Sequence, residues 1–306
     1  SDYAVYSFFP EVGGLEVDAE KRGAKFSHAN EEAHPHYYAV RFDNGVRTEF
    51  ATTDRCAHFR FSYPRSGEAY LVIDGYTGQS EVMIDPEKRQ IRGWVNNQRF
   101  VNHAENFRNY FVVQFDAPFE DYGIWEGENK QLFPRQKAGT GNRYGAYLKF
   151  RKGTKVQAKA ASSYISPQQA ELTLQQELGN DKNVEATKAR GWSRWNTLLN
   201  RIVVEGGTEE QTRTFYSCLF RSNLFSRMFY ELRADVTPDY YSPYDGKIYE
   251  GRMFTDNGLW DTFRSQFPLT NILHPTQQGH YMNDLLAAQK QCGWLPSWSF
   301  PGETGG

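Results

Sequence analysis

The hydrophobic pattern of the chain changes once, near residue 165, and no other feature restricts its fold as much. Up to that point, short runs rich in aromatic and β-branched residues alternate with turn residues such as Asp43-Asn44-Gly45. The runs occupy 37–42, 46–52, 58–63, 69–74, 81–84, 90–95, 110–115, 145–150 and 155–160. Strands at this spacing, with no helical stretch between them, predict an antiparallel β-sandwich.

Helical spacing replaces the strand pattern after residue 165. Ser166 followed by Pro167 is typical of a capped helix start, and Gly179 marks the end of that helix. Four later helices are predicted, over 183–200, 208–232, 259–267 and 277–291. The helix from Thr208 to Leu232 has a predicted buried stripe that consists of Phe215, Leu219, Ser222, Phe225 and Phe229. Helices joined by long aromatic loops, with no strands between them, predict an α/α toroid.

The predicted toroid is incomplete. After about four or five helices the chain ends, which leaves the apolar faces of those helices uncovered. We therefore expect the chain to be a fragment of a longer protein.

The composition excludes two classes of protein. Over 306 residues the formal net charge is −2 and the isoelectric point is near 6.4, so the basic surface of a nucleic-acid-binding protein is missing. No apolar run reaches the length of a membrane-spanning helix. Aromatic residues make up 16% of the chain, although the mean hydropathy is −0.72. Many rings on a polar chain suit carbohydrate binding, and a large sandwich core also uses them.

One stretch near the end combines the residue types of a sugar-binding pocket. Residues 256–264 are DNGLWDTFR, and residues 292–298 are CGWLPSW. Aromatic faces pack against the apolar C–H patch of a pyranose ring, while carboxylates and amides bind its hydroxyl groups. We therefore expect these two segments to form a pocket at one end of the helical part.

Four blocks of the sequence resemble segments of the family 92 glycoside hydrolases. They are FSHANEEAHPHYYAV at 26–40, TEFATTDR at 48–55, GLWDTFR at 258–264, and GWLPSW at 293–298 followed by GET at 302–304. The blocks occur in the same order as in the family and span nearly the whole chain. Two positions depart from it, since His36 stands where the family usually has glycine and Gly305 where it commonly has asparagine.

The resemblance implies a calcium-dependent, exo-acting α-mannosidase that inverts the anomeric configuration of terminal mannose in glycans such as N-glycans. It implies an N-terminal antiparallel β-sandwich, a helical linker and a C-terminal (α/α)6 barrel. We therefore predict a multidomain α and β chain: a sandwich over 1–165 whose first strands are missing, a helical linker over 166–207, and the first part of the barrel over 208–306. The family's usual export implies a periplasmic or extracellular location.

The resemblance also implies which residues act. An inverting glycosidase needs a carboxylic acid and a carboxylate base, about 6.5–9.5 Å apart. The resemblance places this pair and most calcium ligands beyond the chain, so we expect the chain alone to be inactive. It implies sugar binding by Asp261, positioned by Trp260 and Arg264, with Glu303 as a further candidate. Phe100 is a candidate from a loop predicted to reach over the barrel mouth, although a turn with an exposed ring explains it equally well.

The residues alone leave other roles open. A carboxylate near a helix N-terminus, as at Asp261, is often satisfied by backbone N–H groups, and Arg264 suits a structural ion pair. His34 and His36 have a two-residue spacing found in metal sites but no third ligand, so we predict no metal ligands within the chain.

Two other functions fit the same architecture. A non-catalytic carbohydrate-binding protein explains the sandwich and the aromatic rings but not the helices after residue 166. A glycoside hydrolase or phosphorylase of another clan, with a sandwich and an α/α barrel, explains both, because a fold does not specify its chemistry.

Overall fold

The computed structural model describes residues 6–75, 78–96 and 104–299, which fall into two units. The first unit consists of residues 1–99 and 108–191, and the second of residues 100–107 and 192–306. The predicted boundaries at 165 and 207 stay a prediction.

The first unit is built on two antiparallel sheets. Its strands are β1 (Ser7–Val12), β2 (Phe26–His34), β3 (Tyr37–Phe42), β4 (Arg47–Thr52), β5 (Cys56–Ser62), β6 (Ala69–Asp74), β7 (Gln79–Asp85), β8 (Gln90–Val95), β9 (Asn109–Phe115), β10 (Asp121–Glu126), β11 (Gln131–Pro134), β12 (Ala138–Asn142), β13 (Tyr144–Phe150) and β14 (Lys155–Ser163). One sheet has the order β1-β6-β13-β10-β11 and the other the order β12-β7-β8-β9-β14-β5-β4-β3-β2. The predicted antiparallel β-sandwich is confirmed.

Aromatic side chains fill the space between the two sheets. Phe8 on β1 packs against Phe59 on β5, with ring centroids 5.0 Å apart. Phe115 on β9 packs against Phe150 on β13 at 5.8 Å. Residues that alternate along each strand therefore meet in one core, as the period of two requires.

Helix α1 (Pro167–Leu178) covers the outer face of the nine-stranded sheet. Its Ala170, Leu174 and Leu178 pack on Cys56, Val112 and Ala161 from the sheet. Ser166 caps the helix, because its Oγ accepts a hydrogen bond from Gln169 N over 3.0 Å. The predicted cap and helix end are confirmed.

His58 on β5 is buried against helix α2 (Val184–Leu199). Its Nδ1 lies 2.9 Å from Thr187 Oγ1, and that hydroxyl donates to Asp181 Oδ2 over 2.7 Å. Because the hydroxyl proton is used on Asp181, Nδ1 carries the imidazole proton and Nε2 is unprotonated. Burial, with a smaller contribution from Lys159, lowers the pKa of His58 to about 4.

The second unit mixes helices with short strands. Its helices are α3 (Glu209–Ser222), α4 (Leu259–Thr262), α5 (Gln266–Leu273) and α6 (Pro275–Cys292), and its strands are β15 (Arg227–Met228), β16 (Tyr230–Leu232), β17 (Pro238–Tyr241), β18 (Ile248–Glu250), β19 (Phe254–Thr255), β20 (Asn257–Gly258) and β21 (Trp298–Ser299). Helices therefore dominate the second unit, but the prediction that no strands lie between them is wrong.

Helix α3 ends earlier than predicted. A capping box between Thr208 and Gln211 opens it as expected, but it stops at Ser222 instead of Leu232. Ser222 Oγ and Asn223 Nδ2 both donate to Leu219 O, at 2.8 and 2.7 Å, and so compete with the backbone for that carbonyl. Phe225 and Phe229 therefore do not extend the buried stripe of this helix.

The core of the second unit lies between α5 and α6. Phe254, Phe267 and Tyr281 form its buried cluster. Phe254 precedes the segment predicted to bind sugar, so this core holds the base of that segment in place. None of the described helices is long and apolar enough to cross a membrane.

Candidate functional site

The two segments predicted to form a pocket lie side by side. Strands β20 and β21 pair in antiparallel fashion, with Gly258 opposite Trp298. Beyond that pair, Leu259 N donates a hydrogen bond to Ser297 O over 3.2 Å. The short ladder joins the DNGLWDTFR segment to the CGWLPSW segment.

Two tryptophans mark the surface of this junction. The rings of Trp260 and Trp298 lie 6.1 Å apart between centroids and are tilted by 56°. The side chain of Trp260 is 60% exposed. A Cβ at Gly258 would come within 3.0 Å of the Trp298 ring, so glycine there lets the ring lie against the strand. The exposed face of Trp260 is therefore available to a ligand.

Asp261 is exposed in the single turn of α4. Its carboxylate makes no hydrogen bond or ion pair with any residue in the described ranges, and only its backbone carbonyl is engaged, by Ser265 Oγ at 3.1 Å. Among the described residues, no backbone N–H group donates a hydrogen bond to this carboxylate, so the alternative role of a carboxylate satisfied by such groups is not supported. The carboxylate is therefore open to solvent.

Arg264 is exposed next to these two residues. Its Cζ lies 5.9 Å from the centroid of the Phe263 ring. Within the described part of the chain, its guanidinium forms no ion pair, so the alternative of a structural ion pair has no described partner. The structure thus brings Trp260, Asp261 and Arg264 together on one short exposed stretch. Phe100 and Glu303 lie outside the described residues.

The exposed stretch follows a buried one. Thr255, Asp256 and Asn257 are each less than a tenth exposed. Asp256 has a φ of +65° and forms an ion pair with Arg227, with 2.9 Å between Nε and Oδ2. Asn257 Oδ1 accepts a hydrogen bond from Ser226 Oγ. A firmly held backbone therefore supports the exposed side chains that follow it.

Asp284 in α6 supports the same backbone, and it is absent from the residues predicted from the sequence. Its buried Oδ2 accepts a hydrogen bond from Phe254 N over 2.9 Å. Burial raises the pKa of this carboxyl to about 8, although the bond from Phe254 opposes the shift. The available signal was its position between Tyr281 and Ala288 on the buried face of α6, where an acid is out of place.

The described residues contain no group of three or more His, Cys, Asp or Glu side chains arranged to hold a metal ion. The rings of His34 and His36 stack at 5.5 Å, and His34 Nε2 lies 3.3 Å from a Glu32 oxygen. In the segment from β17 to β18, Asp239 forms an ion pair with Arg233 at 2.6 Å, and Asp245 accepts a hydrogen bond from Tyr249 Oη over 2.6 Å.

Sequence comparison identifies the family of the chain. The profile of the glycosyl hydrolase family 92 N-terminal domain matches residues 1–163, and that of the glycosyl hydrolase family 92 catalytic domain matches residues 169–306. The chain belongs to glycosyl hydrolase family 92. The family assignment argues against the alternative of a hydrolase or phosphorylase from another clan.

Solved family 92 structures share this fold. An inverting mannosidase from Bacteroides thetaiotaomicron VPI-5482 is 39% identical, with a TM-score of 0.95, over 99% of this chain and 41% of its own. An α-mannosidase from Bacteroides thetaiotaomicron, solved with mannoimidazole, is 23% identical, with a TM-score of 0.83, over 97% of this chain and 41% of its own. This family 92 chain therefore spans about two fifths of the length of either enzyme.

A curated fungal relative is more distant. A protein of Arthroderma benhamiae described as an uncharacterized secreted glycosidase is 22% identical over 236 residues. The match covers 69% of this family 92 chain and 31% of the fungal protein.

Proposed function

We propose that this chain is part of an exo-acting α-mannosidase that hydrolyses terminal α-linked mannose from glycans with inversion of configuration. Membership of family 92 supports a glycosidase, and the 39% identical relative is described as an inverting mannosidase. Because the chain spans 41% of that relative, the activity belongs to the whole protein and not to these residues alone.

The observation that carries the proposal is the junction of β20 and β21. At this junction the exposed Trp260 and the unpaired, exposed Asp261 are consecutive residues. In the proposed complex, the indole face packs on the C–H patch of mannose and the carboxylate accepts hydrogen bonds from two of its hydroxyl groups. Arg264 orients the carboxylate or donates to a third hydroxyl. These contacts bind the sugar, but they provide neither a general acid nor a general base.

The remaining parts of the proposal rest on the family. The acid and base, and most ligands of the calcium ion, are assigned to the part of the enzyme that this chain does not cover. When bound, calcium would supply positive charge that stabilises oxygen atoms of the substrate. A periplasmic or extracellular location, suited to the degradation of N-glycans, is supported by the fungal relative described as secreted.

The test uses the protein extended to the full length of its family relatives. It is incubated with α-linked mannobioses of each linkage, with calcium and then with EDTA, and the released anomer is followed by proton NMR. We expect calcium-dependent release of β-mannose, and we expect no release by the 306-residue chain alone.

The same experiment distinguishes the mannosidase from the remaining alternative function. Retained glycan binding by the extended protein, with no release from any mannobiose, would show a non-catalytic carbohydrate-binding protein. Release of α-mannose would contradict the inverting mechanism while leaving a mannosidase in place.

A further inference from the structure

A cleft of about 460 Å³ in the sandwich unit is lined by basic side chains. Its lining residues are Arg65, Arg151, Lys152, Gly153 and Thr154. Arg65 belongs to the connection between β5 and β6, and the other four belong to the turn between β13 and β14. Two loops that are distant in sequence thus build one small basic site.

Backbone hydrogen bonds fix these two loops against each other. Tyr63 N donates to Thr154 O over 2.9 Å, and Gly153 N donates to Pro64 O over 2.9 Å. Gly153 has a φ of +70°, and a Cβ there would lie 3.0 Å from Arg65 Cγ. Glycine therefore permits both the turn and the close approach, so the backbone segments that carry the two arginines are held against each other.

The charges in the cleft are not balanced by the protein. Glu68 binds Lys149 Nζ at 2.6 Å and Lys152 Nζ at 2.5 Å, so its two oxygens are already occupied. The side chains of Arg65 and Arg151 are exposed and form no hydrogen bond or ion pair with any residue that the structure describes. Two adjacent positive charges therefore lack a counter-charge, although the whole chain has a net charge of −2.

We propose that this cleft binds a tetrahedral oxyanion, a phosphate or sulfate group. A guanidinium presents its N–H donors in a planar fork that matches two oxygens of such a group, so Arg65 and Arg151 together can hold it from two sides. The Thr154 hydroxyl adds a neutral donor on the same wall. The anion is either the free inorganic ion or the ester group of a modified polysaccharide. The proposal does not depend on the sugar site in the other unit.

Isothermal titration calorimetry on the 306-residue chain tests the proposal. The probes are inorganic phosphate, inorganic sulfate, dextran sulfate and uncharged dextran. The variant Arg65→Gln/Arg151→Gln removes both guanidinium groups, and Lys137→Gln/Lys182→Gln is the matched control. It removes the same charge at two exposed positions outside the cleft, where neither side chain forms a hydrogen bond or ion pair with a described residue. Thermal denaturation checks that both variants fold.

We expect at least one anionic probe to bind the unaltered chain and uncharged dextran not to bind. The arginine variant should bind that probe about 10-fold more weakly or not at all, while the lysine variant keeps its affinity within about twofold. Binding of the inorganic ions identifies the free anion as the ligand, and binding of dextran sulfate alone identifies the ester group.

Three results would overturn the proposal. They are no binding of any anionic probe, equal binding by the unaltered chain and the arginine variant, and an equal loss in both double variants, which would show a general effect of charge. If the arginine double variant fails to fold, Arg65→Gln and Arg151→Gln are measured singly, and each should weaken binding by about threefold. Unchanged binding in both single variants would also overturn it.

Discussion

Trp260 and Trp298 lie with their ring centroids 6.1 Å apart because Gly258 pairs with Trp298 across two short strands. The contact joins two segments that are distant in the sequence. It leaves Trp260 exposed, and the exposed Asp261 follows it in the chain. An exposed indole and an unpaired carboxylate on one short stretch are the groups that bind the apolar and polar faces of a sugar ring.

The first prediction concerns Asp261. In the protein extended to the length of its relatives, Asp261→Ala should lower kcat/KM for α-mannobiose by about 10²- to 10³-fold, because hydrogen bonds to the substrate hydroxyls are lost. The melting temperature should not change, since the side chain is exposed and has no described partner.

Asp43→Ala is the control for that measurement. Asp43 is an exposed aspartate in the turn between β3 and β4, and its removal should leave both kcat/KM and the melting temperature unchanged. A stable Asp261→Ala protein with full activity would remove Asp261 from the sugar site.

The sequence predicts the central strands of the sandwich better than its edge strands. Strands such as β6 and β9 carry long apolar runs and are recognisable by themselves. Strand β12, with the sequence AGTGN, and β2, with FSHANEEAH, lie at the two edges of the nine-stranded sheet and have no apolar alternation. They are strands because a neighbouring strand supplies their hydrogen-bond partners, and no local pattern records that pairing.

The candidate site, like the edge strands, could be predicted only in part. The residue types at 256–264 and 292–298 indicate a sugar-binding pocket, but their pairing through Gly258 and Trp298 depends on the tertiary fold. The role of Asp284 depends on its contact with Phe254 N, which the sequence of α6 does not contain. Spacing along one element predicts its own buried face, and contacts between distant elements require the structure.

A second prediction concerns the turn between β16 and β17. Val236 has a φ of +64° and is 68% exposed, so a β-branched side chain occupies the left-handed region without buried contacts that offset the strain. Val236→Asn should raise the free energy of unfolding by about 1 kcal/mol, because asparagine tolerates this backbone conformation. Urea denaturation measures the change.

Val203→Asn is the matched control for the turn. Val203 is 69% exposed but is not among the described residues with positive φ, so the same substitution should not stabilise the protein. Equal effects at both positions would show that Val236 is not strained.

The third prediction concerns the pH dependence of the sandwich. In the folded state the pKa of His58 is about 4, against an ordinary value of 6.5, because the ring is buried. As pH falls from 6.5 to 4, the unfolded chain binds a proton that the folded protein excludes, so the free energy of unfolding falls, by about 3 kcal/mol in total.

His58→Asn tests the assignment of this pH dependence. The asparagine amide can replace the Nδ1–H donor to Thr187 but does not titrate. The variant is expected to be less stable than the unaltered protein near pH 7, because the smaller side chain leaves a cavity. It should also lose less stability than the unaltered protein between pH 6.5 and 4. Parallel pH profiles of the two proteins in urea denaturation would assign the acid sensitivity to another group.

The last prediction concerns Asp284, which binds the backbone that leads into the proposed sugar site. Its pKa is about 8 in the folded state, against an ordinary value of 3.8. Between pH 3.8 and pH 8 the unfolded chain releases a proton that the folded protein keeps, so the free energy of unfolding falls as pH rises, by about 4 kcal/mol at pH 7. Asp284→Asn keeps an oxygen for the Phe254 N–H but does not titrate.

The expected signature of Asp284→Asn is a gain in stability that grows with pH. Denaturation profiles of the variant and the unaltered protein should meet near pH 4 and diverge toward pH 8, where the variant is more stable. Asp43→Asn, at an exposed position, should follow the unaltered protein throughout. A constant offset between the Asp284→Asn and unaltered profiles would mean that the pKa of Asp284 is the same in the folded and unfolded states, so that the hydrogen bond from Phe254 N offsets its burial.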